Sequence, residues 1–154
     1  MNKTLIKTVK GDITKITDAQ AIVNAANSSL LGGCKTGQAK ITKAYNLPCD
    51  YIIHTVGPVW NGGEKDEATL LANCYYNSMT LAVEKGIRTI AFPSISTGIF
   101  HFPVQLAARI AVGTVARFVE ENAGKIDMIE WVLFDDNTYA VYEAEVDKYY
   151  QVME

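Results

Sequence analysis

The chain has 154 residues, 49% of them hydrophobic, with 14 basic and 17 acidic side chains and a pI near 5.4. That is enough chain for a single domain with a sizeable core, read here as residues 1–154. A net charge of −3 with scattered Lys and Arg lacks the basic footprint of a nucleic-acid binder, and no apolar run approaches a membrane span.

Residues 4–10 carry β-branched side chains with some alternation and end at Gly11-Asp12, a strand and its turn. Residues 21–24 form a short apolar run of the buried-strand kind. Residues 39–45 and 51–56 are strand candidates separated by Asn46-Leu47-Pro48, and Gly57-Pro58 ends the second. A helical stripe then runs through Ala68, Leu71, Cys74, Tyr75, Ser78 and Ala82, with Gly86 where a C-terminal cap belongs. Residues 89–92 read as a buried strand. Pro103 suits the first turn of a helix whose buried face is Leu106, Ala107, Ile110, Ala111, Thr114, Val115 and Phe118, stopped by Asn122-Ala123-Gly124. The last strand covers residues 128–134. Asp136 or Asn137 then caps a closing helix with Val141, Tyr142, Val146 and Tyr149 on its inner side.

Cys34, Cys49 and Cys74 are odd in number and widely spaced, which fits neither a zinc pattern nor a disulfide framework. With an N-terminus lacking the apolar core of a signal peptide, reduced thiols imply a cytoplasmic domain. Strands alternating with helices predict an α/β fold, a three-layer α/β/α sandwich around a mostly parallel sheet. Ligands in such sheets bind beyond the carboxyl ends of the strands. The polar loops at residues 24–33, 93–102 and 135–137 each leave such an end and so share one rim.

Ser94-Ile95-Ser96-Thr97-Gly98 lies between a strand and a helix, and small residues there expose successive N–H groups to an anion such as a diphosphate. An ordinary strand-to-helix connection is the competing reading. No Gly-Lys-Ser/Thr ending and no Gly-x-Gly-x-x-Gly follows a strand, so neither a Walker loop nor a dinucleotide fingerprint is present. Asp12 suits an exocyclic amine such as that of adenine, or a turn in which it bonds its own backbone. Phe134 is either core or a stacking surface for a base. Asn24 suits a buried structural role and Asn27 a sugar hydroxyl. His54 reads as a hydrogen-bonded core histidine and His101 as an exposed bystander near the loop. Trp60 and Trp131 read as packing residues, and Glu64-Lys65-Asp66-Glu67 as a solvated helix start.

Taken in order, Gly11-Asp12-Ile13-Thr14, Ile22-Val23-Asn24-Ala25-Ala26-Asn27, Tyr51-Ile52-Ile53-His54-Thr55-Val56-Gly57-Pro58 and Ala91-Phe92-Pro93-Ser94-Ile95-Ser96-Thr97-Gly98 resemble the signatures of the macrodomain family. The resemblance covers nearly the whole chain and is nearest to the branch that removes ADP-ribose from proteins and deacetylates O-acetyl-ADP-ribose. It implies that Asp12 and the backbone at Ile13 hold the adenine amine and that Phe134 stacks on the ring. It further implies that Ser94, Ile95, Ser96, Thr97, Gly98 and Ile99 wrap the diphosphate, and that Asn27 and Phe100 border the distal ribose. ADP-ribose or an ADP-ribosylated protein is the implied partner; no metal and no cofactor is implied.

The family continues after Leu30-Leu31-Gly32-Gly33 with more glycine, Val-Asp-Gly-Ala-Ile-His and a helix, whereas Gly33 here runs directly into Cys34-Lys35-Thr36-Gly37. The absent aspartate is the residue that, in this branch, helps place the attacking water, which leaves Asn27 as the candidate catalytic residue. A natural deletion, an engineered truncation or a written sequence that omits a segment would each give this junction. Loss of a helix exposes apolar sheet at ~25 cal/mol per Å². Three functions are therefore open: a hydrolase or deacetylase, a non-catalytic ADP-ribose-binding module, and a remnant that binds nothing.

Overall fold

A computed structural model describes residues 3–27 and 34–153. Its strands are β1 (Leu5–Lys10), β2 (Ala21–Ala26), β3 (Ala39–Lys43), β4 (Tyr51–Val56), β5 (Thr89–Phe92) and β6 (Met128–Leu133), and its long helices are α1 (Glu67–Glu84), α2 (Val104–Glu121) and α3 (Asp136–Met153). The junction between Gly33 and Cys34 lies outside the described residues. The strands form one six-stranded sheet in the order β1-β6-β5-β2-β4-β3, parallel except for β3. The expected α/β class with a mostly parallel sheet is what the chain adopts.

Alternation places Ile6, Val23, Ile53, Ile90, Ile129 and Trp131 on one sheet face, against the helices. There Trp131 stacks on Phe92 at 5.8 Å and meets Tyr75 at 6.1 Å and Tyr142 at 6.0 Å, all four residues fully buried. Both tryptophans pack, Trp60 against Phe102 at 4.8 Å. The other face carries a smaller cluster, Ala19, Ile22, Ala91 and Val132, covered among the described residues by Ile13 and Ile16 near a 3-10 turn (Ile13–Lys15) and by Leu47 and Cys49. One outer layer is thus helical and the other, as far as it is described, is built of turns.

Several boundaries differ from expectation for local reasons. Pairing of Ala25 with Thr55 and Ala26 with Val56 carries β2 past Asn24. Strand β3 stops at Lys43 because the chain turns there, Ala44 N–H bonding the Asp50 carbonyl. Ala68 lies outside the buried stripe of α1. The cap of α3 is Asp135, not Asp136 or Asn137: its Oδ1 accepts from Thr138 N–H (2.8 Å) and its Oδ2 from Thr138 Oγ1 (3.0 Å).

Candidate functional site

Strand β5 hands the chain on toward β6, while its neighbour β2 hands it on in the opposite direction, toward β3 and β4. That reversal of strand order is where an open α/β sheet leaves a crevice at its carboxyl edge. The crevice here is a chain of cavities joined through common walls. A compartment of about 330 Å³ lies under Phe134, lined also by Asp12, Ile13, Ser94, Thr97 and Gly98. Ser94 and Gly98 form its boundary with a middle compartment of about 280 Å³, lined by Ala25, Ala26, Asn27, Gly57, Ser96, Ile99 and Phe100 as well. Asn27, Gly57 and Phe100 in turn border a far compartment of about 280 Å³, which runs between Thr36, Pro58, Val59 and Lys65.

The loop after β5 is the common wall. Among the described residues, no hydrogen bond uses the N–H groups of residues 96–100. The loop bends back on itself through Phe102 N–H to the Ser96 carbonyl (2.9 Å) and His101 N–H to the Gly98 carbonyl (3.0 Å). Ser96 and His101 both adopt left-handed backbone, φ 68° and 62°, a conformation that side-chain-bearing residues keep only when their surroundings enforce it.

Side chains from α1 and α3 hold the first half of the loop. Tyr142 Oη lies 2.8 Å from Ser94 Oγ, which lies 2.6 Å from Thr97 Oγ1. Tyr75 Oη accepts from Ile95 N–H (3.4 Å) and donates to the Pro93 carbonyl (3.5 Å). Burial pushes both phenols up, Tyr142 to about 12, so each stays a neutral donor and acceptor. Gly57 closes the back of the loop: a Cβ there would lie 2.3 Å from Ser96 Oγ and 2.8 Å from Ile95 Cγ2. Only glycine fits.

At the Phe134 end, Asp12 Oδ1 accepts from both Thr14 N–H (2.9 Å) and Thr14 Oγ1 (2.7 Å), which holds its carboxyl below the usual range. Its Oδ2 has no partner among the described residues. Phe134 is 85% exposed, while the preceding Leu133 is in the core.

The far compartment has a wall that the sequence reading placed in solvent. Glu67 is buried at the start of α1. Burial works against its charge, but N–H groups of Asn61 (2.7 Å), Lys65 (2.6 Å) and Gly63 (3.0 Å) hold its pKa down to about 2. Left-handed backbone at Gly62, Gly63 and Asp66 lets the chain wind around that carboxylate.

The structure therefore brings Asp12, Ile13, Asn27, Ser94, Ser96, Thr97, Gly98, Ile99, Phe100 and Phe134 to one groove. Ile95 stands apart, its side chain in the core and its N–H held by Tyr75. Asn24 is exposed rather than buried, its amide 3.3 Å from His54 Nδ1, and Thr42 Oγ1 lies 2.9 Å from His54 Nε2; this row crosses the sheet away from the groove. His101 is exposed and lines none of the compartments, and neither does the start of α2. The sequence reading missed Gly57, Thr36, Val59 and Lys65 as lining residues. The Gly57-Pro58 pair was the available signal for the first of them.

Comparison with known proteins gives the groove a context. The family model described as Macro domain matches residues 16–111. An uncharacterised protein of Fusobacterium nucleatum is 50% identical, over 99% of this chain and 100% of its own length. That alignment occupies 176 positions, more than the 154 residues of this chain, so the relative carries residues with no counterpart here. The ADP-ribose glycohydrolase MACROD2 of Xenopus laevis is 42% identical over 92% of this chain and 40% of its own. The crystal structure of a Trypanosoma brucei macrodomain in complex with ADP-ribose superposes with a TM-score of 0.84 at 34% identity, over 92% of this chain and 68% of that one.

Proposed function

The chain belongs to the Macro domain family, and on that premise we propose that its groove binds ADP-ribose, free or attached to a modified protein. Adenine lies under Phe134 with its amine toward Asp12 Oδ2. The diphosphate lies along the amides of residues 96–100, and the distal ribose sits between Asn27 and Phe100. The observation that carries this reading is the run of unbonded N–H groups at residues 96–100, bordering the middle compartment. Successive main-chain donors in a bent loop form an anion-binding concavity without any need for net positive charge. The free thiols of Cys34, Cys49 and Cys74 support a cytoplasmic location.

Binding without rapid turnover is the form of the activity we assign to this chain. One relative named for hydrolysis resembles it, but the segment that the family resemblance puts after Gly33, with its aspartate, is absent from the sequence. Titration calorimetry with ADP-ribose is the test. The parent protein gives a measurable binding isotherm. Gly98→Glu removes it, because a carboxylate against the diphosphate costs several kcal/mol, ~100-fold or more in affinity. A Cβ at Gly98 meets nothing within 4 Å, so the variant keeps its melting temperature. Unchanged affinity in Gly98→Glu defeats the assignment. Brisk release of ADP-ribose from a mono-ADP-ribosylated protein would show instead that another group replaces the missing aspartate.

A further inference from the structure

Away from the nucleotide groove, α1 and α2 lie side by side and leave a trough of about 530 Å³ between them. All of its lining comes from described residues of these two helices, and none of those residues borders the groove. Its floor carries small residues, Ala68 and Ala72 on α1 and Gly113 on α2. A Cβ at Gly113 would meet nothing within 4 Å, so no packing inside the protein calls for glycine there. Glycine inside a helix is destabilising relative to alanine, and here it keeps the floor low enough for a second backbone to approach.

Two arginines flank this floor. Arg109, Gly113 and Arg117 fall on one stripe of α2, which sets the two arginines about 12 Å apart along the axis. Both are exposed, and neither has a hydrogen-bond or ion-pair partner among the described residues. Glu120 and Glu121 follow one turn after Arg117 without bridging to it, and the trough itself is lined by no carboxylate. Between the arginines Thr114 is 7% exposed, and its Oγ1 also lacks a partner among the described residues, whereas Thr80 Oγ1 bonds the Tyr76 carbonyl at 2.9 Å. Tyr76, one turn beyond Ala72 on α1, is 37% exposed with its ring edge-on to Phe118. In a chain of net charge −3, this is uncompensated positive charge beside a recess that holds an unpaired hydroxyl.

We propose that the trough is a docking site for an acidic helix of another protein. Two carboxylates on that helix, roughly two turns apart, pair with Arg109 and Arg117. The ridge between them settles over Gly113 and Ala72, a polar side chain meets Thr114 Oγ1, and Tyr76 covers the apolar flank. A helix suits the site better than a nucleic-acid strand, because two cations in a recess match a short acidic ridge, while the net negative charge of the whole chain repels a polyanion. The site stands independently of the ADP-ribose reading.

The probe is a synthetic alanine-rich helical peptide, fluorescently labelled, with two glutamates spaced like Arg109 and Arg117 and a leucine between them on the same face. Its control carries glutamines at the two positions, and a third peptide carries lysines. Fluorescence anisotropy follows their binding to the parent, to Arg117→Glu, to the double variant Arg109→Glu/Arg117→Glu and to Gly113→Leu, with melting temperatures recorded for each. The parent binds the glutamate peptide about tenfold more tightly than the glutamine control, and added salt erodes that margin. Arg117→Glu weakens the glutamate peptide about tenfold, and the double variant prefers the lysine peptide instead. Gly113→Leu fills the floor and weakens the glutamate peptide while melting no lower than the parent. Because the arginines are unpaired and the glycine has open space, these variants fold. Affinity for ADP-ribose stays within about twofold of the parent in all of them. No binding of the glutamate peptide to the parent overturns the proposal, and so does equal binding of the glutamine control or unchanged affinity in the variants. A single-stranded oligonucleotide that binds as tightly as the peptide, through the same arginines, overturns it as well.

Discussion

Asp12 shows how one side chain answers two readings. Its Oδ1 is committed to Thr14, as a turn aspartate should be, and its Oδ2 is left over at the edge of the Phe134 compartment. Asparagine in its place keeps the oxygen for Thr14 but presents an NH₂ donor where the carboxylate offered an acceptor. Asp12→Asn should therefore melt with the parent yet bind ADP-ribose about tenfold more weakly, since an adenine amine then meets another donor. The same variant should regain affinity for the hypoxanthine analogue, whose exocyclic carbonyl oxygen accepts. Calorimetry with both nucleotides checks this, and loss of both in parallel would mean that Asp12 only shapes the turn. For Phe134 the sequence left core and rim open. Alternation could not settle it, because the strand ends at Leu133 and the next side chain is no longer bound by the pleat.

The helices do more than cover the sheet. From the sequence, Tyr75 and Tyr142 belong to buried stripes, and so they do, but their hydroxyl tips reach the loop after β5 from two different helices. Tyr142→Phe keeps the ring among Trp131 and its neighbours and removes only the oxygen beside Ser94. The expected cost in stability is about 1 kcal/mol, with a several-fold loss in affinity for ADP-ribose and none for adenosine, which has no diphosphate to place. If adenosine weakens as much, the tyrosine serves packing alone. This is where legibility ended. Strands, helices and the shared rim were readable, because periods of two and 3.6 and the Gly and Pro stops are local signals. A phenol bonding a loop more than forty residues away, or Glu67 collecting amides from a turn wound by Gly62, Gly63 and Asp66, is set by tertiary proximity, and no spacing encodes it. A charged run at a helix start reads as solvated until the turn folds over it.

Across the whole molecule the sheet separates two chemistries, an aromatic core under the helices and a thinner, more polar layer on the other face. Glu130 sits in the middle of that second face, buried on β6, and neither of its oxygens makes a well-aligned hydrogen bond among the described residues. Lys7 Nζ lies 4.0 Å from its Oε1 and 3.2 Å from Asp18 Oδ2, so β1 and the segment before β2 both face it with charge. Burial, and after it the Asp18 carboxylate, push the Glu130 carboxyl up to about 8, which Lys7 only partly offsets. The unfolded chain releases this proton near the ordinary value of 4.5, so between there and about 8 the folded state holds a proton that the unfolded state has lost. Its stabilising contribution is full below pH 4.5 and fades as pH rises, until it is gone past about 8. Asp18 runs the other way, its carboxyl held down by Glu130 first and then by Lys7, so its contribution fades only in acid. Glu130→Gln keeps the shape of the protonated acid and cannot ionise. Melting curves of the two proteins should nearly coincide at pH 4.5 and diverge steadily to pH 9, with the glutamine variant the more stable on the alkaline side. Parallel curves over that interval would mean that Glu130 is charged in the folded protein, and that Lys7 compensates it far better than a 4.0 Å contact implies.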